Sequence, residues 1–161
     1  MTAVRTRIVQ ALAAAIENID IVGGVAEPSV RDEAADGAII DTLKAQQAYV
    51  EMGIGADEPG QDHSQLLKKT FPVTLICHLP DTPPSDQTHL EFAGAVYGAI
   101  VALIEDESDP SVGTWGELAE QTIDQGGGGI GLDPGGLQTL VTVVQLDIVY
   151  RHTRGDIEAV R

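Results

Sequence analysis

The stretch DQGGGGIGLDPGG, residues 124–136, contains a glycine spacing known from cofactor-binding loops. Gly126, Gly128 and Gly131 satisfy G-x-G-x-x-G, the pattern of a loop that cradles the pyrophosphate of a dinucleotide. Such a loop needs a helix after it, because the helix N-terminus supplies the N–H groups that bind the phosphates. The residues after Gly136 indicate a strand instead, so we expect no bound cofactor. We interpret residues 124–136 as a flexible hairpin connection between two strands, which orders on meeting a partner.

The single cysteine and the histidines give no pattern typical of catalysis or of metal binding. Cys77 lies in the apolar run FPVTLICHL, which favours a buried thiol. The adjacent His78 would point to the opposite face of a strand. None of the four histidines has a metal-ligand spacing such as H-x-x-x-H, and no serine lies in a nucleophile-elbow context. The sequence therefore predicts no catalytic residue, no metal site and no enzymatic activity.

Composition and charge limit the classes of partner. The chain has 161 residues, 43% of them hydrophobic, which predicts a single domain over residues 1–161. Its 25 acidic residues against 9 Lys and Arg give a net charge of −16, which disfavours binding to nucleic acid and to anionic membranes. No run approaches the ~18 apolar residues of a membrane span, and Gln10 and Glu17 interrupt the N-terminal apolar run. We therefore expect a protein without a signal peptide, made in a cytoplasm.

Two segments show the periodicity of amphipathic helices. Residues 3–19 place apolar side chains at helical spacing. A second helix follows the capping-box spacing Thr88-x-x-Glu91, with Ser85 or Asp86 as alternative caps. Its glycines, Gly94 and Gly98, are expected to pack closely against a sheet. The expected buried stripe of that helix is Leu90, Ala93, Tyr97, Ile100, Val101 and Ile104.

Other segments indicate strands. TFPVTLICHLP and LQTLVTVVQLDIVYRHT are typical of strands, and IDIVGGV is compatible with a short one. The last of the three in the chain has apolar residues on both faces, which predicts a strand that is central or covered on both sides. Pro72 is expected at the start of its strand. The periodicity of residues 37–54 does not distinguish a strand from a helix, although extended structure is favoured over 45–54. The order of elements predicts an α+β fold: a single mostly antiparallel sheet with two helices packed on one face.

Four segments in this order resemble a known family. They are RTRIVQALAAAIENI at the start, FPVTLICHL, HLEFAGAVYGAIVALIED, and the final LVTVVQLDIVYRHTRGD. The layout is similar to that of the tail terminator (tail completion, minor tail) proteins of long-tailed bacteriophages and related gene transfer agents. The final strand running into YRHTRGD is the closest local match, and the resemblance covers most of the chain as an order of elements.

The resemblance implies a structural protein of the virion. Such proteins form a ring, expected here as a homohexamer, on the head-proximal end of the tail tube. The ring ends tube growth and offers a docking face to neck or stopper proteins, while DNA passes through without specific binding. Sheet edges and the loops over 55–65 and 124–136 are the expected contacts with neighbouring subunits and rings. The candidate contact residues are Asp57, Glu58, Gly126, Gly128, Ile130, Arg151 and Arg154.

Two other classes of function remain open at this stage. One is a different virion protein, such as a head–tail connector, a stopper or a tail tube protein, which would polymerise alone if it formed tubes. The other is a small ligand-binding domain or enzyme of a halophilic organism, because low lysine content and high acidity suit that origin. A stable monomer would favour this second class.

Overall fold

Two long antiparallel strands form the centre of the molecule in a computed structural model, which describes residues 3–26, 32–59 and 66–153. The elements in chain order are α1 (Val4–Glu17), β1 (Val22–Ala26), α2 (Glu33–Lys44), β2 (Ala48–Ile54), β3 (Glu58–Pro59), β4 (Leu66–His78), a 3-10 turn (Pro84–Asp86), α3 (His89–Ile104), β5 (Gln121–Gly126), β6 (Gly131–Leu132) and β7 (Leu140–Thr153).

All strands belong to one sheet with the order β1-β2-β4-β7-β5. The short β3 pairs with β4 beyond the end of β2, and the short β6 pairs with β7 beyond the end of β5. Among the described strands only β1 and β2 run parallel, and all other pairs are antiparallel. The predicted α+β class, with one mostly antiparallel sheet, is confirmed, and β7 has the central position that its two apolar faces predicted.

The main core lies between one face of this sheet and helices α1 and α3. Alternate residues of each strand point to this face, as the twofold periodicity of a strand requires. Cys77 is one of them and is fully buried, as predicted. The largest buried side chains of this layer are Ile8, Leu12 and Ile16 of α1, Phe71 and Leu75 of β4, Phe92 and Ile100 of α3, and Leu146 and Ile148 of β7.

A third helix covers part of the opposite face. Helix α2 occupies residues over which the sequence pattern left helix and strand open, whereas the favoured extended structure after it is confirmed by β2. Asp32 caps α2, because its carboxylate accepts a hydrogen bond of 2.8 Å from the backbone N–H of Ala35. Ile39 and Leu43, one helical turn apart, then pack against Tyr49 of β2. This small second core positions the site described below.

Helix α3 begins at the predicted cap, and its predicted buried stripe is confirmed at Ala93, Ile100 and Ile104 but not at Leu90. The hydroxyl of Thr88 accepts a hydrogen bond of 3.1 Å from the backbone N–H of Glu91, as the capping box requires. Leu90, predicted in the core, is 63% exposed, and a Cβ on Gly94 or Gly98 would meet nothing within 4 Å. The expected close packing of these glycines on the sheet is therefore wrong. The buried stripe is Phe92, Ala93, Val96, Ile100 and Ile104.

Pro72 lies inside β4 rather than at its start, which corrects the sequence prediction. Its backbone carbonyl accepts a hydrogen bond of 2.9 Å from the N–H of Gly55, the residue that follows β2. An ordinary residue at position 72 would donate its own N–H to the carbonyl of Gly55, since opposed residues of an antiparallel pair exchange both bonds. Here the guanidinium of Arg5 donates to that carbonyl instead. The side chain of α1 thus satisfies the acceptor that the proline leaves open.

Candidate functional site

The glycine run lies along one outer side of the sheet. Strand β5 pairs with β7 from Gln121 to Gly126, and β6 pairs with β7 at Gly131 and Leu132, so both segments flank the same strand. The chain reverses only afterwards, over residues 133–139. The prediction that all of 124–136 forms the hairpin connection is therefore wrong in its bounds. We call residues 121–132 the β5–β6 edge.

The ring of Tyr97 explains why glycines occupy the centre of this edge. A Cβ on Gly127 would lie 2.9 Å from the ring and 3.1 Å from the carbonyl oxygen of Val143. A Cβ on Gly128 would lie 3.2 Å from the ring, and its φ of +85° favours glycine as well. The hydroxyl of Tyr97 donates to the carboxylate of Asp124, and this hydrogen bond raises the pKa of the tyrosine. Packing on α3 therefore explains the glycines at positions 127 and 128, and the φ of +120° at Gly126 favours glycine there as well.

Two apolar side chains on the β5–β6 edge are exposed. Ile130 is 37% exposed and Leu132 is 78% exposed. The described residues contain only two other large apolar side chains that are exposed, Ile40 on α2 and Leu90 on α3. Apolar side chains beside unpaired backbone groups at a sheet edge are typical of a surface that contacts another chain. Gly126, Gly128 and Ile130, three of the predicted contact residues, lie on this edge.

The predicted contact residue Asp57 lies in an internal network that fixes α1 to the sheet. It accepts a hydrogen bond of 3.1 Å from the hydroxyl of Tyr150, and its carboxylate is 3.6 Å from Arg5 and 4.0 Å from Lys69. The guanidinium of Arg5 also lies over the ring of Phe71, 5.0 Å from its centroid. Burial, together with the charge of Asp57, raises the pKa of Tyr150 to about 12.

The remaining predicted contact residues have different environments. Nε of Arg151 on β7 is 2.6 Å from a carboxylate oxygen of Glu120, which precedes β5. Glu58 is exposed in β3, where it pairs with Thr70 of β4. Arg154 lies outside the described residues. Of the six candidates within the described residues, therefore, the structure places three, Gly126, Gly128 and Ile130, on the β5–β6 edge.

A buried histidine on the opposite face forms a cluster that the sequence analysis missed. His78 of β4 is fully buried, and its Nε2 lies 2.5 Å from Oε1 of Glu51 on β2. Its Nδ1 lies 2.8 Å from the hydroxyl of Thr139, immediately before β7. His78 is directly opposite Tyr49, so Glu51 takes the diagonal position on the same face. The register of two strands therefore sets this contact.

Asp133 completes the cluster from the turn that joins β6 to β7. Its two carboxylate oxygens accept backbone hydrogen bonds, of 3.0 Å from Gly135 and 2.8 Å from Leu137, which hold the turn closed. Its side chain is almost fully buried, and it converges with Glu51 and His78 so that one ligand atom from each lies within 4.8 Å of the others. Three segments far apart in the sequence thus present a nitrogen and two carboxylates to one point.

A cavity of about 530 Å³ adjoins this cluster. Its walls come from the end of α2, the segment after β4 and the turn before β7, and Thr139 belongs both to this wall and to the histidine cluster. Leu43 and Leu137 supply apolar surface, and Lys44 and Asp81 supply charge. The side-chain amide of Gln46 donates to the carbonyl of Thr82 at 3.2 Å and joins two of the walls.

No protein-family model matches the chain, and a search of the curated proteins finds no match. Within the described ranges, no helix has both the length and the apolar character that crossing a membrane requires.

Proposed function

We propose that the protein is a structural component of a virion, which forms an oligomeric ring on the head-proximal end of a phage or gene-transfer-agent tail tube. The ring ends growth of the tube and forms the joint to the neck. The resemblance of four ordered segments to tail terminator proteins supports this proposal. The resemblance implies an α/β sandwich, and the chain likewise packs helices against a sheet.

The observation that carries the proposal is the β5–β6 edge. It presents backbone groups of β5 that no other described strand pairs with, together with the exposed side chains of Ile130 and Leu132. The other outer strand of the sheet, β1, has a different sequence and is parallel to its neighbour. Contact between two unlike edges of successive subunits is heterologous, and heterologous contacts close into rings when the rotation between subunits allows it. One sheet with two unlike edges is therefore suited to a ring.

The charge of the chain fits a ring through which DNA passes. A net charge of −16 on each subunit repels a polyanion and offers few cations for phosphate contacts. A ring of several copies multiplies this charge, so DNA moves through the lumen without being held.

The proposal is tested by a double substitution on the edge, Ile130→Asp with Leu132→Asp. Both side chains are exposed, so the fold should survive, whereas a carboxylate at each position opposes burial in a subunit contact. The matched control is Leu90→Asp, which changes an exposed leucine in the first turn of α3, where a negative charge is favourable.

Mass in solution, measured by light scattering over a range of protein and salt concentrations, reads out the assembly. We expect the natural sequence and the Leu90→Asp control to form the same closed oligomer, and the double variant to remain monomeric. A natural sequence that stays monomeric at every concentration, also with tail tube protein present, would exclude the ring.

A small ligand-binding domain is the second candidate, because the cavity of about 530 Å³ has the size of a small-molecule site. Under this alternative the protein is a stable monomer, and the double variant behaves as the natural sequence does. The light-scattering comparison therefore separates the two candidates.

A further inference from the structure

We propose that Glu51, His78 and Asp133 bind one divalent transition-metal ion, and that Zn²⁺ is the ion the site fits. Asp133 directly follows the β5–β6 edge, but the site uses no side chain of that edge and does not depend on the proposed ring. The three residues lie on β2, on β4 and in the turn between β6 and β7, and they share the sheet face that α2 partly covers.

The donor set favours zinc over the hard cations. One imidazole nitrogen and two carboxylate oxygens are ligands that Zn²⁺ accepts in tetrahedral sites, with a fourth position left for water. Ca²⁺ and Mg²⁺ instead take oxygen ligands, six or more for Ca²⁺, and gain little from an imidazole. Both carboxylates and the fully buried imidazole direct one ligand atom each towards a single point, as one bound ion requires.

The hydrogen bonds of His78 prepare its Nε2 as the ligand atom. Nδ1 lies 2.8 Å from the hydroxyl of Thr139, which can accept the Nδ1 proton. With the Nδ1 proton held by Thr139, the 2.5 Å contact between Nε2 and Oε1 of Glu51 places a second proton between those two atoms, and its removal exposes the Nε2 lone pair. Zinc-bound histidines commonly use their second nitrogen in this way, to fix the tautomer and the ring orientation. The ion replaces the proton between Nε2 and the carboxylate, and that proton is released to solvent.

Small movements bring the ligand atoms to coordination distances. Tetrahedral ligands about 2.0–2.2 Å from zinc lie about 3.4 Å from one another. The three candidate atoms lie within 4.8 Å of one another, so no backbone rearrangement is needed to enclose an ion. The side chain of Glu51 is 25% exposed, which gives it room to rotate and gives the ion a route from solvent.

Bound zinc would clamp the turn 133–139 to the sheet. Asp133 already holds this turn closed through the backbone N–H groups of Gly135 and Leu137. A carboxylate oxygen has more than one lone pair, so coordination of the ion is compatible with these hydrogen bonds. The ion would then connect the turn to β2 and β4 directly, in addition to the contact between His78 and Thr139.

The test uses the full chain without an affinity tag, because tag histidines bind zinc themselves. The protein is treated with a chelator, freed of it and titrated with zinc chloride in a calorimeter, with magnesium chloride as the ion control. We expect one equivalent of Zn²⁺ to bind, with release of protons, and no binding of Mg²⁺. Glu51→Gln keeps the side-chain shape and should lower the zinc affinity about tenfold or more. Glu107→Gln, which removes an exposed carboxylate elsewhere, is the matched control and should leave the affinity unchanged.

Asp133→Asn is a second ligand variant, and circular dichroism checks that each variant is folded. If neither variant folds, the visible spectrum of the natural sequence loaded with Co²⁺ tests the site instead. One nitrogen and two oxygen ligands with a water would give the intense bands of tetrahedral Co²⁺. The proposal is overturned if the natural sequence binds no stoichiometric zinc, if folded ligand variants bind as tightly as Glu107→Gln, or if cobalt gives only the spectrum of the hydrated ion.

Discussion

Nε2 of His78 and Oε1 of Glu51 lie 2.5 Å apart on diagonal positions of β4 and β2. The same imidazole reaches the hydroxyl of Thr139 through its other nitrogen. One fully buried side chain therefore connects β2, β4 and the start of β7. Because a buried polar group is costly without its partners, this contact fixes the position of the turn 133–139 on the sheet.

Thr139→Val should lower the free energy of unfolding by about 1–3 kcal/mol, because valine has the same shape but cannot pair with the buried His78. Thr74→Val is the control, since Thr74 lies on the same sheet face but shares an exposed hydrogen bond of 3.2 Å with Gln145. Urea denaturation measures both free energies. Equal effects of the two substitutions would show that the contact between His78 and Thr139 contributes little.

Gly127→Ala should destabilise the protein by roughly 1–3 kcal/mol, since the new methyl group would lie 2.9 Å from the ring of Tyr97 and 3.1 Å from the carbonyl of Val143. Gly129→Ala adds the same methyl group where nothing lies within 4 Å, and should leave stability unchanged or slightly raised. Thermal unfolding of the two variants makes the comparison. The packing argument fails if position 127 tolerates alanine as well as position 129 does.

Tyr150 should make the protein sensitive to alkaline pH. Burial, together with Asp57, raises its pKa to about 12, against about 10 for an unperturbed tyrosine. Its contribution to stability is therefore fully present below about pH 10 and is lost as the pH rises towards 12. Asp57→Asn should lower the pKa of Tyr150 but leave it above 10, because burial is the largest cause of the shift.

Ultraviolet absorbance of the phenolate, recorded during an alkaline titration, measures these pKa values, and Tyr150→Phe assigns the step. The assignment is wrong if the step lost in Tyr150→Phe lies at the pH of a free tyrosine.

Cys77 should react with thiol reagents only when the protein unfolds. The side chain is fully buried, and burial raises the pKa of the thiol to about 12, so the reactive thiolate is scarce at neutral pH. The rate of modification by an aromatic disulfide reagent, with and without denaturant, measures this. Rapid reaction in native buffer would contradict the position of Cys77 in the core.

The periodicity of apolar residues predicted the helices that bury one face and the strand that buries both faces. Strand β7 was predicted as central from its two apolar faces, and α3 was predicted to begin after Thr88 from its capping box. Periodicity was less informative for α2, whose buried residues number only two, Ile39 and Leu43. The stripe of α3 was predicted correctly at Ala93, Ile100 and Ile104, whereas Leu90 and the glycines, which were expected to pack inward, lie on an exposed face.

The clusters depend on register and turns, which short patterns do not specify. Glu51 and His78 meet because Tyr49 is opposite His78, and Asp133 joins them only when the turn before β7 closes. Likewise, the spacing of Gly126, Gly128 and Gly131 matched a phosphate-binding pattern, whereas the structure shows Gly127 and Gly128 packed on Tyr97, with positive φ at Gly126 and Gly128. Knowledge of the register between β2 and β4, with Tyr49 opposite His78, would have revealed the contact between Glu51 and His78.

The most direct test of the proposed function is electron microscopy of tail tubes mixed with the purified protein. The tubes are assembled from the tail tube protein of the same virus, and the double variant Ile130→Asp with Leu132→Asp serves as the comparison. We predict a ring of the natural protein at one end of each tube, an arrest of further tube growth, and bare ends with the double variant. Tubes that keep growing, with no density of this protein at either end, would contradict the account.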